Sequence, residues 1–578
     1  MLDAENGRSR SLLIADCGTS NTRVALLDIV GGGYRLVAHA RSMTTTESPW
    51  SNVMLGLRAA IKQLETITGR PLLNDRGVLI RPAKENGSGV DRFTAVISAA
   101  PPLTTWLVGL SEEISLVSGR RTLLQSYTQK IDSISLADGR SPSDQLTDFV
   151  NNPPDIVFVA GGVEESEGEQ LLPILERIAL GADILTGRKR VRVIYAGNRA
   201  LRERVRRLVG QSASLQIAEN VRPSLDAEAL GDATKTLGDL YTDLKIHSLG
   251  DVQELQEWGS AGLRLSVNEL AHVLHYFANL HQGHVMGLDL GSQYTSIVTA
   301  QPKTMRLRID SELALGKPII NILKKTSPQA LSHWLPETIS DADVEDFIYN
   351  KSLHPHSLPQ TEMELLLERA AAREILRCTL DDAAQDWGWG NAPPDLRLLL
   401  VRGGIFTNQA HPSQLVLLLL DALQPTGTFA LTIDEHGLLP GLGALAQHEP
   451  LAVVQTLEAG ILNDMGWVVV PTGITPPNGK VLEVTVEAAE RELCFEAEIS
   501  FGNIEVFPID TDEPTEITLK PSPRIDVGFG VGRSKKITIY GGSVGLIIDA
   551  RGRPLILPDD DTERQRLLAK WRQDMGGG

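Results

Sequence analysis

Asp16-Cys17-Gly18-Thr19-Ser20-Asn21-Thr22 and, 273 residues further on, Asp289-Leu290-Gly291-Ser292-Gln293-Tyr294-Thr295 place an acid, a glycine and hydroxyl side chains in the same order. Each run lies between two apolar stretches, SLLIADCG and TRVALLDI in the first case, HVMGLDLG and TSIVTAQP in the second, so each reads as the turn of a β-hairpin. That combination suits a phosphate group. Glycine lets the backbone approach closely, successive amides and hydroxyls donate to the oxygens, and an aspartate can hold Mg²⁺ through its water shell. Two such loops facing across a cleft would grip a nucleotide's phosphates from both sides. On this reading Gly18 to Thr22 and Gly291 to Thr295 hold phosphate, while Asp16 and Asp289 orient the metal.

The surrounding elements must bring the loops together. Residues 11–40 read as strand, polar loop, strand, hairpin at Gly31–Gly33, strand: an antiparallel start. NVMLGLRAAIKQLETIT (52–68) has helical apolar spacing and stops at Gly69-Arg70-Pro71. FTAVISAA (93–100), DIVFVAGG (155–162) and VRVIYAGN (191–198) read as buried strands, and 215–282 reads as mostly helical. After the second loop come a helix over 361–378, the strand LRLLLVRGG (396–404) and the helix SQLVLLLLDAL (413–423). From Val468 to about Leu557 the pattern changes to short alternating strands split by Pro, Gly and Asp, which predicts a β domain.

Composition narrows the classes. The chain has 578 residues, 55 Lys+Arg against 73 Asp+Glu and a formal net charge of −18, so long-range repulsion argues against nucleic acid or an anionic membrane as partner. A small anionic ligand remains open, because local amides or a metal ion can supply positive charge. Three distant cysteines give no disulfide framework or thiolate zinc site, and no run of about 20 apolar residues predicts a membrane span; a cytoplasmic protein is expected.

The two loops resemble the first and second phosphate motifs of the superfamily of acetate and sugar kinases, heat-shock chaperones and actin. LLLVRGGIFTN (398–408) is similar to its adenosine motif, which implies that Gly403 and Gly404 let the backbone lie against the nucleoside. A closer resemblance covers most of 11–450: LIADCGTSNTRVALLD, YRLVAHARSMTTTES, PDIVFVAGG, VRVIYAGNRALRERV, SELALGKPIINIL and GLLPGLGALA look like the glutamate mutase MutL family, unrelated to the mismatch-repair protein of similar name. The resemblance implies ATP/ADP and Mg²⁺ as cofactors, and a reactivating or chaperone-like role toward a cobalamin-dependent mutase as protein client. The chain departs from the family pattern in four places, one being Ala160-Gly161-Gly162-Val163-Glu164-Glu165 where a Gly-Gly-Thr-Asp-Gly-like turn is usual. Ser292 follows Gly291 where a second glycine is usual, Ser296 stands where an aspartate is usual, and Arg23 replaces a lysine. ATP binding survives these changes more easily than fast hydrolysis does.

Other motifs lead nowhere. Asp526-Val527-Gly528-Phe529-Gly530 lies amid strands and reads as a turn or bulge. GITPPNGK (473–480) is one residue too long for a P-loop and lacks the following Ser/Thr. His272, His275, His281 and His284 lack a convincing metal-ligand pattern. The expected fold is therefore α/β, with two ribonuclease-H-like (actin-like ATPase) domains at 11–210 and 283–450, a helical connection at 211–282, a C-terminal all-β domain at 451–560, and a short helix with a flexible tail at 561–578. The expected function is an ATP-binding, slowly hydrolysing factor. The alternatives are a non-catalytic scaffold, which the residue at Ser296 favours, and a small-molecule kinase of the same fold, for which no motif nominates a base. The catalytic residue and the oligomeric state stay unassigned.

Overall fold

The computed structural model describes residues 10–166, 168–259, 262–389, 395–407, 411–488, 493–511 and 513–576. The chain forms two compact units. The smaller comprises Ala100–Leu249 with Arg308–Ser311, and the larger comprises the rest: the chain up to Ala99, Gly250–Leu307, and Glu312 onward.

In the larger unit, β1 (Ser11–Cys17), β2 (Asn21–Val30) and β3 (Gly33–Met43) form an antiparallel meander, and β4 (Arg92–Ile97) adds in parallel to β1. The meander follows from the polar turn at 18–20 and the glycines at 31 and 32, both at positive φ (+62° and +87°), a conformation that costs glycine little.

The smaller unit is a separate five-stranded parallel sheet. Its strands are β5 (Leu103–Val108), β6 (Thr128–Ile134), β7 (Ile156–Val159), β8 (Arg192–Tyr195) and β9 (Ser214–Ile217), in the order β6-β5-β7-β8-β9. The apolar strands at 155–162 and 191–198 therefore belong to this sheet and do not extend the first one. They are buried on both faces, as a parallel sheet covered by helices requires. Within this unit Asp155 accepts ion pairs from Lys245 (2.7 Å) and Lys189 (2.9 Å) and a hydrogen bond from the Thr104 amide (3.0 Å). Burial alone would raise this carboxyl, but the bonds from Lys245, Lys189 and Thr104 outweigh it and hold it at about 2. A depressed carboxylate contributes stability above its unfolded pKa and loses it as pH falls through the folded one. The unit is therefore expected to lose this contribution between about pH 4 and pH 2. Asp155→Asn should flatten that part of an acid-unfolding curve followed by circular dichroism.

The first sheet is completed only after this excursion, by the two-residue β10 (Arg264–Leu265), parallel to β4. Its order, β3-β2-β1-β4-β10, is then repeated. β11 (Val285–Leu290), β12 (Thr295–Gln301) and β13 (Thr304–Asp310) take the places of the meander, while β14 (Leu398–Arg402) and β15 (Gly427–Ile433) follow in parallel, giving β13-β12-β11-β14-β15. These are two ribonuclease-H-like domains.

Beyond β15 the second sheet continues through β16 (Asn463–Val470) and two later strands; β17 (Thr472–Gly473), β18 (Lys480–Ala488) and β19 (Leu493–Ser500) intervene. The later strands are β20 (Ile504–Phe507) and β24 (Gly545–Asp549), and between them lie β21 (Thr515–Pro521), β22 (Ile525–Asp526) and β23 (Lys535–Ile539). β19-β18-β21-β23 form their own antiparallel sheet. The strand-rich C-terminal region thus shares β16, β20 and β24 with the second domain. The physical reason lies in strands apolar on both faces. Val468, Val470 and Ile547 turn into the core of the second domain, whereas Val469, Leu546 and Ile548 pack against Leu482, Val484 and Ile517 of the small sheet. Asp526 builds a turn there, its Oδ1 accepting the amides of Gly528, Phe529 and Gly530. The last helix runs Asp561–Asp574; Gly577 and Gly578 lie outside the described residues.

Two helices link the ribonuclease-H-like domains, Ser266–His281 and Leu439–Ala446. They cross closely because Gly443 lies against the backbone of Glu269: a Cβ at 443 would come within 2.3 Å of the Glu269 carbonyl oxygen.

Candidate functional site

The two repeated loops have the same backbone geometry. The Gly18 amide donates to the Asn21 carbonyl at 3.1 Å, and the Gly291 amide donates to the Tyr294 carbonyl at 2.9 Å. At each hairpin base the acid faces one residue of the returning strand: Asp16 pairs in register with Arg23, and Asp289 with Ser296. The loops meet. Ser20 Oγ donates to Ser292 Oγ at 2.6 Å, and Thr19 Oγ1 lies 3.2 Å from the same oxygen. Thr19, Ser20, Asn21, Gly291, Ser292 and Gln293 are partly exposed at this meeting point.

Thr22 and Thr295 are not part of that surface. Both are fully buried; Thr22 shares a hydrogen bond with Thr44 at 2.9 Å, and Thr295 donates to the Leu313 carbonyl at 2.6 Å. Tyr294 is also buried. The hydroxyls of Thr22 and Thr295 hold the hairpins to their own domains, so their side chains are not on the loops' open edge. Cys17 is buried beside Asp16, and burial, then the Asp16 charge, push its thiol well above the ordinary range, which makes it an inert core residue.

The Gly403-Gly404 pair divides into two roles. Gly403 has φ +130°, and a Cβ there would lie 2.2 Å from the Leu290 carbonyl oxygen, so glycine is what lets β14 end against the second loop. Among the described residues a Cβ at Gly404, the start of the short helix Gly404–Thr407, would meet nothing within 4 Å; Asn408 of the same motif lies outside the described residues.

Between the two aspartates lies a residue that sequence reasoning did not single out. Arg402 is directly opposite Asp289 in the β11–β14 register. Its Nη2 donates to Asp16 Oδ2 at 2.6 Å and its Nη1 to Asp289 Oδ2 at 3.0 Å, while its Nε lies 3.7 Å from Asp434 Oδ2. Arg402 and Asp16 are each only 5% exposed. Burial opposes the guanidinium's charge, but Asp289, Asp16 and Asp434 outweigh it and hold its pKa above the ordinary value. Asp289 itself is raised by burial against the pull of Arg402, with Asp16 adding to the rise.

Asp16 and Asp434 have further donors, whereas Asp289, 26% exposed, meets Arg402 through Oδ2. Asp16 Oδ1 accepts from Ser266 Oγ at 3.0 Å, and Asp434 accepts the amides of Leu438 (2.8 Å) and Leu439 (3.0 Å). The stem of Arg23 lies over Gly437, where a Cβ would come within 2.7 Å of Arg23 Cδ. Burial and the like charge of Arg402 lower the pKa of Arg23, while Asp16, Asp434 and Asp289 act in the opposite sense.

The residues at the loops' open edge suit a phosphate: three hydroxyls from two domains converge, with two arginines behind them. Mg²⁺ between Asp16 and Asp289 does not fit this arrangement, because Arg402 donates to both carboxylates. Among the described residues no group of three His, Cys, Asp or Glu side chains is placed to hold a metal ion. His272 bonds Glu269 (3.2 Å), His275 the Pro302 carbonyl (3.2 Å), and His284 bonds Thr299.

Paired ribonuclease-H-like domains, with duplicated hairpin loops meeting between them, define the actin-like ATPase fold. Within it the chain belongs to the MutL protein family, whose sequence model matches residues 12–461; this is not the mismatch-repair protein of that name. No curated protein matches the chain. Among solved structures, the chain is similar to one from the nucleotide-free structure of acetone carboxylase, at 12% identity over 85% of this chain and 81% of that one, with a TM-score of 0.35. It is also similar to gluconate kinase from Lactobacillus acidophilus, at 11% identity over 79% and 93%, TM-score 0.32. Component A of (R)-2-hydroxyglutaryl-CoA dehydratase from Acidaminococcus fermentans matches at 8% over 77% and 99%, TM-score 0.27. Likenesses this weak carry no statement about activity. Among the described residues no helix is long and apolar enough to cross a membrane.

Proposed function

We propose that this chain binds ATP and ADP between its two hairpin loops and works as a slowly hydrolysing, chaperone-like factor for a cobalamin-dependent mutase. The observation that carries the reading is the convergence of two domains' hydroxyls, with Thr19 Oγ1 and Ser20 Oγ at 3.2 Å and 2.6 Å from Ser292 Oγ. Those hydroxyls and the adjoining amides donate to phosphate oxygens, Arg23 and Arg402 offset two of the three aspartate charges beneath them, and the space over Gly404 takes the nucleoside. Asp16 and Asp434 are buried against Arg402 and do not reach water or an acceptor hydroxyl as a base, and Asp289 commits one oxygen to the same guanidinium. The geometry supports binding over turnover, and it favours the scaffold alternative over the kinase. Nucleotide spanning both loops would bias the two domains toward closure about the crossed helices, and that is the two-state element available to act on a client.

Ser292→Asp tests the reading. The new carboxylate can accept from Ser20 and Thr19, so the melting temperature should stay within about 2 °C of wild type. It also puts a negative charge where phosphate binds, and calorimetry should show ATP affinity falling by about tenfold or more. Unchanged ATP affinity would remove the loops from the nucleotide site. The client is tested by adding ATP with wild type or Ser292→Asp to an inactivated cobalamin-dependent mutase. Recovery with wild type alone supports the assignment, and recovery with neither removes it.

A further inference from the structure

Three acids and two bases meet at the base of the hairpins: Asp16, Asp289, Asp434, Arg402 and Arg23, a formal sum of −1. Without Arg402 the sum would be −2, the charge that one divalent cation neutralises. Arg402 fills the space between these carboxylates, within 3.0 Å of an oxygen of each loop's aspartate and 3.7 Å from the third carboxylate. It is fixed there: it ends a fully buried strand, LLLVR, and Gly403, the next residue, packs on the Leu290 carbonyl. A divalent ion added beside a fixed guanidinium would face its charge at a few ångströms in a poorly solvated site. Asp16 Oδ1 and both Asp434 oxygens already take Ser266 and the amides of Leu438 and Leu439, which leaves a water shell only the outer oxygen of Asp289 to meet.

We infer that Arg402 is a tethered substitute for the divalent cation, so that this chain binds nucleotide phosphates without a metal. The nucleotide half of this statement rests on the function proposed above; the metal half does not. A guanidinium cannot be deprotonated at working pH, so Arg402 serves as a permanent counter-charge to the carboxylates beneath the loops. It cannot lower the pKa of a bound water as a metal does, which agrees with a site built for binding.

The test has two arms. In the first, Mn²⁺ alone is titrated into the full chain and followed by electron paramagnetic resonance. Wild type should hold no Mn²⁺ at this site, and Arg402→Met should gain one ion that is lost again in Arg402→Met/Asp16→Asn. A Mn²⁺ ion on wild type that Asp16→Asn abolishes would overturn the inference. The second arm needs only wild type: ATP affinity is measured by calorimetry in EDTA and in Mg²⁺. Affinities within about threefold support the inference, and a loss of about tenfold or more in EDTA overturns it. No ATP binding in either buffer would remove the nucleotide reading, and the Mn²⁺ arm then decides the metal position alone.

Discussion

Arg402→Met is expected to cost about 3–5 kcal/mol of stability, the range for removing one partner of a buried ion pair. The substitution keeps the volume of the arginine stem but leaves Asp16, Asp289 and Asp434 facing one another without their shared cation. Asp16 and Asp434 are almost completely buried, so water cannot replace the lost bonds. The melting temperature should fall by several degrees in EDTA and recover in part with millimolar Mn²⁺ or Mg²⁺, while wild type shows no metal response. A melting curve for Arg402→Met that overlays wild type in EDTA would mean that the guanidinium is not the counter-ion holding this cluster.

The second large effect is expected at the glycine pair, where two adjacent residues of one type should respond in opposite ways. Gly403→Ala forces a Cβ to 2.2 Å from a backbone oxygen at φ +130°, a contact and a conformation that a side chain cannot relieve. The cost should exceed about 4 kcal/mol, in the class of the most damaging single substitutions, and soluble expression should fall accordingly. Gly404→Ala meets nothing within 4 Å and should stay within about 0.5 kcal/mol of wild type. If nucleoside occupies the space over Gly404, the bulkier Gly404→Leu should keep the wild-type melting temperature and weaken ATP binding. Equal losses of stability at 403 and 404 would contradict this division of roles.

The duplicated loops were legible in the sequence because their chemistry is local: an acid, a glycine and hydroxyls between two apolar runs specify a hairpin wherever they occur. The architecture followed from the same pattern read twice. What escaped was set by long-range pairing. β10 is two residues long and joins β4 only after the chain has built a separate parallel sheet, so no periodicity marks it. The buried strands at 155–162 and 191–198 carry no signal for which sheet they enter, because a strand apolar on both faces fits any covered parallel position.

Arg402 did carry a local signal. It is the charge that ends the apolar run LLLV of β14, and a buried arginine requires carboxylates. Its partners Asp16, Asp289 and Asp434 come from distant positions in the chain, and only the parallel register of β11 and β14 puts Arg402 against Asp289. In the same way, Thr22 and Thr295 look like phosphate ligands by type and spacing, yet strand alternation turns both hydroxyls into their own domains.

Amide hydrogen exchange with and without saturating ATP shows whether the two hairpins form one nucleotide site. Exchange should slow in residues 18–22 and 291–295 together, with residues 403–407 protected alongside them. Exchange that is unchanged in both loops at millimolar ATP would contradict a single shared site.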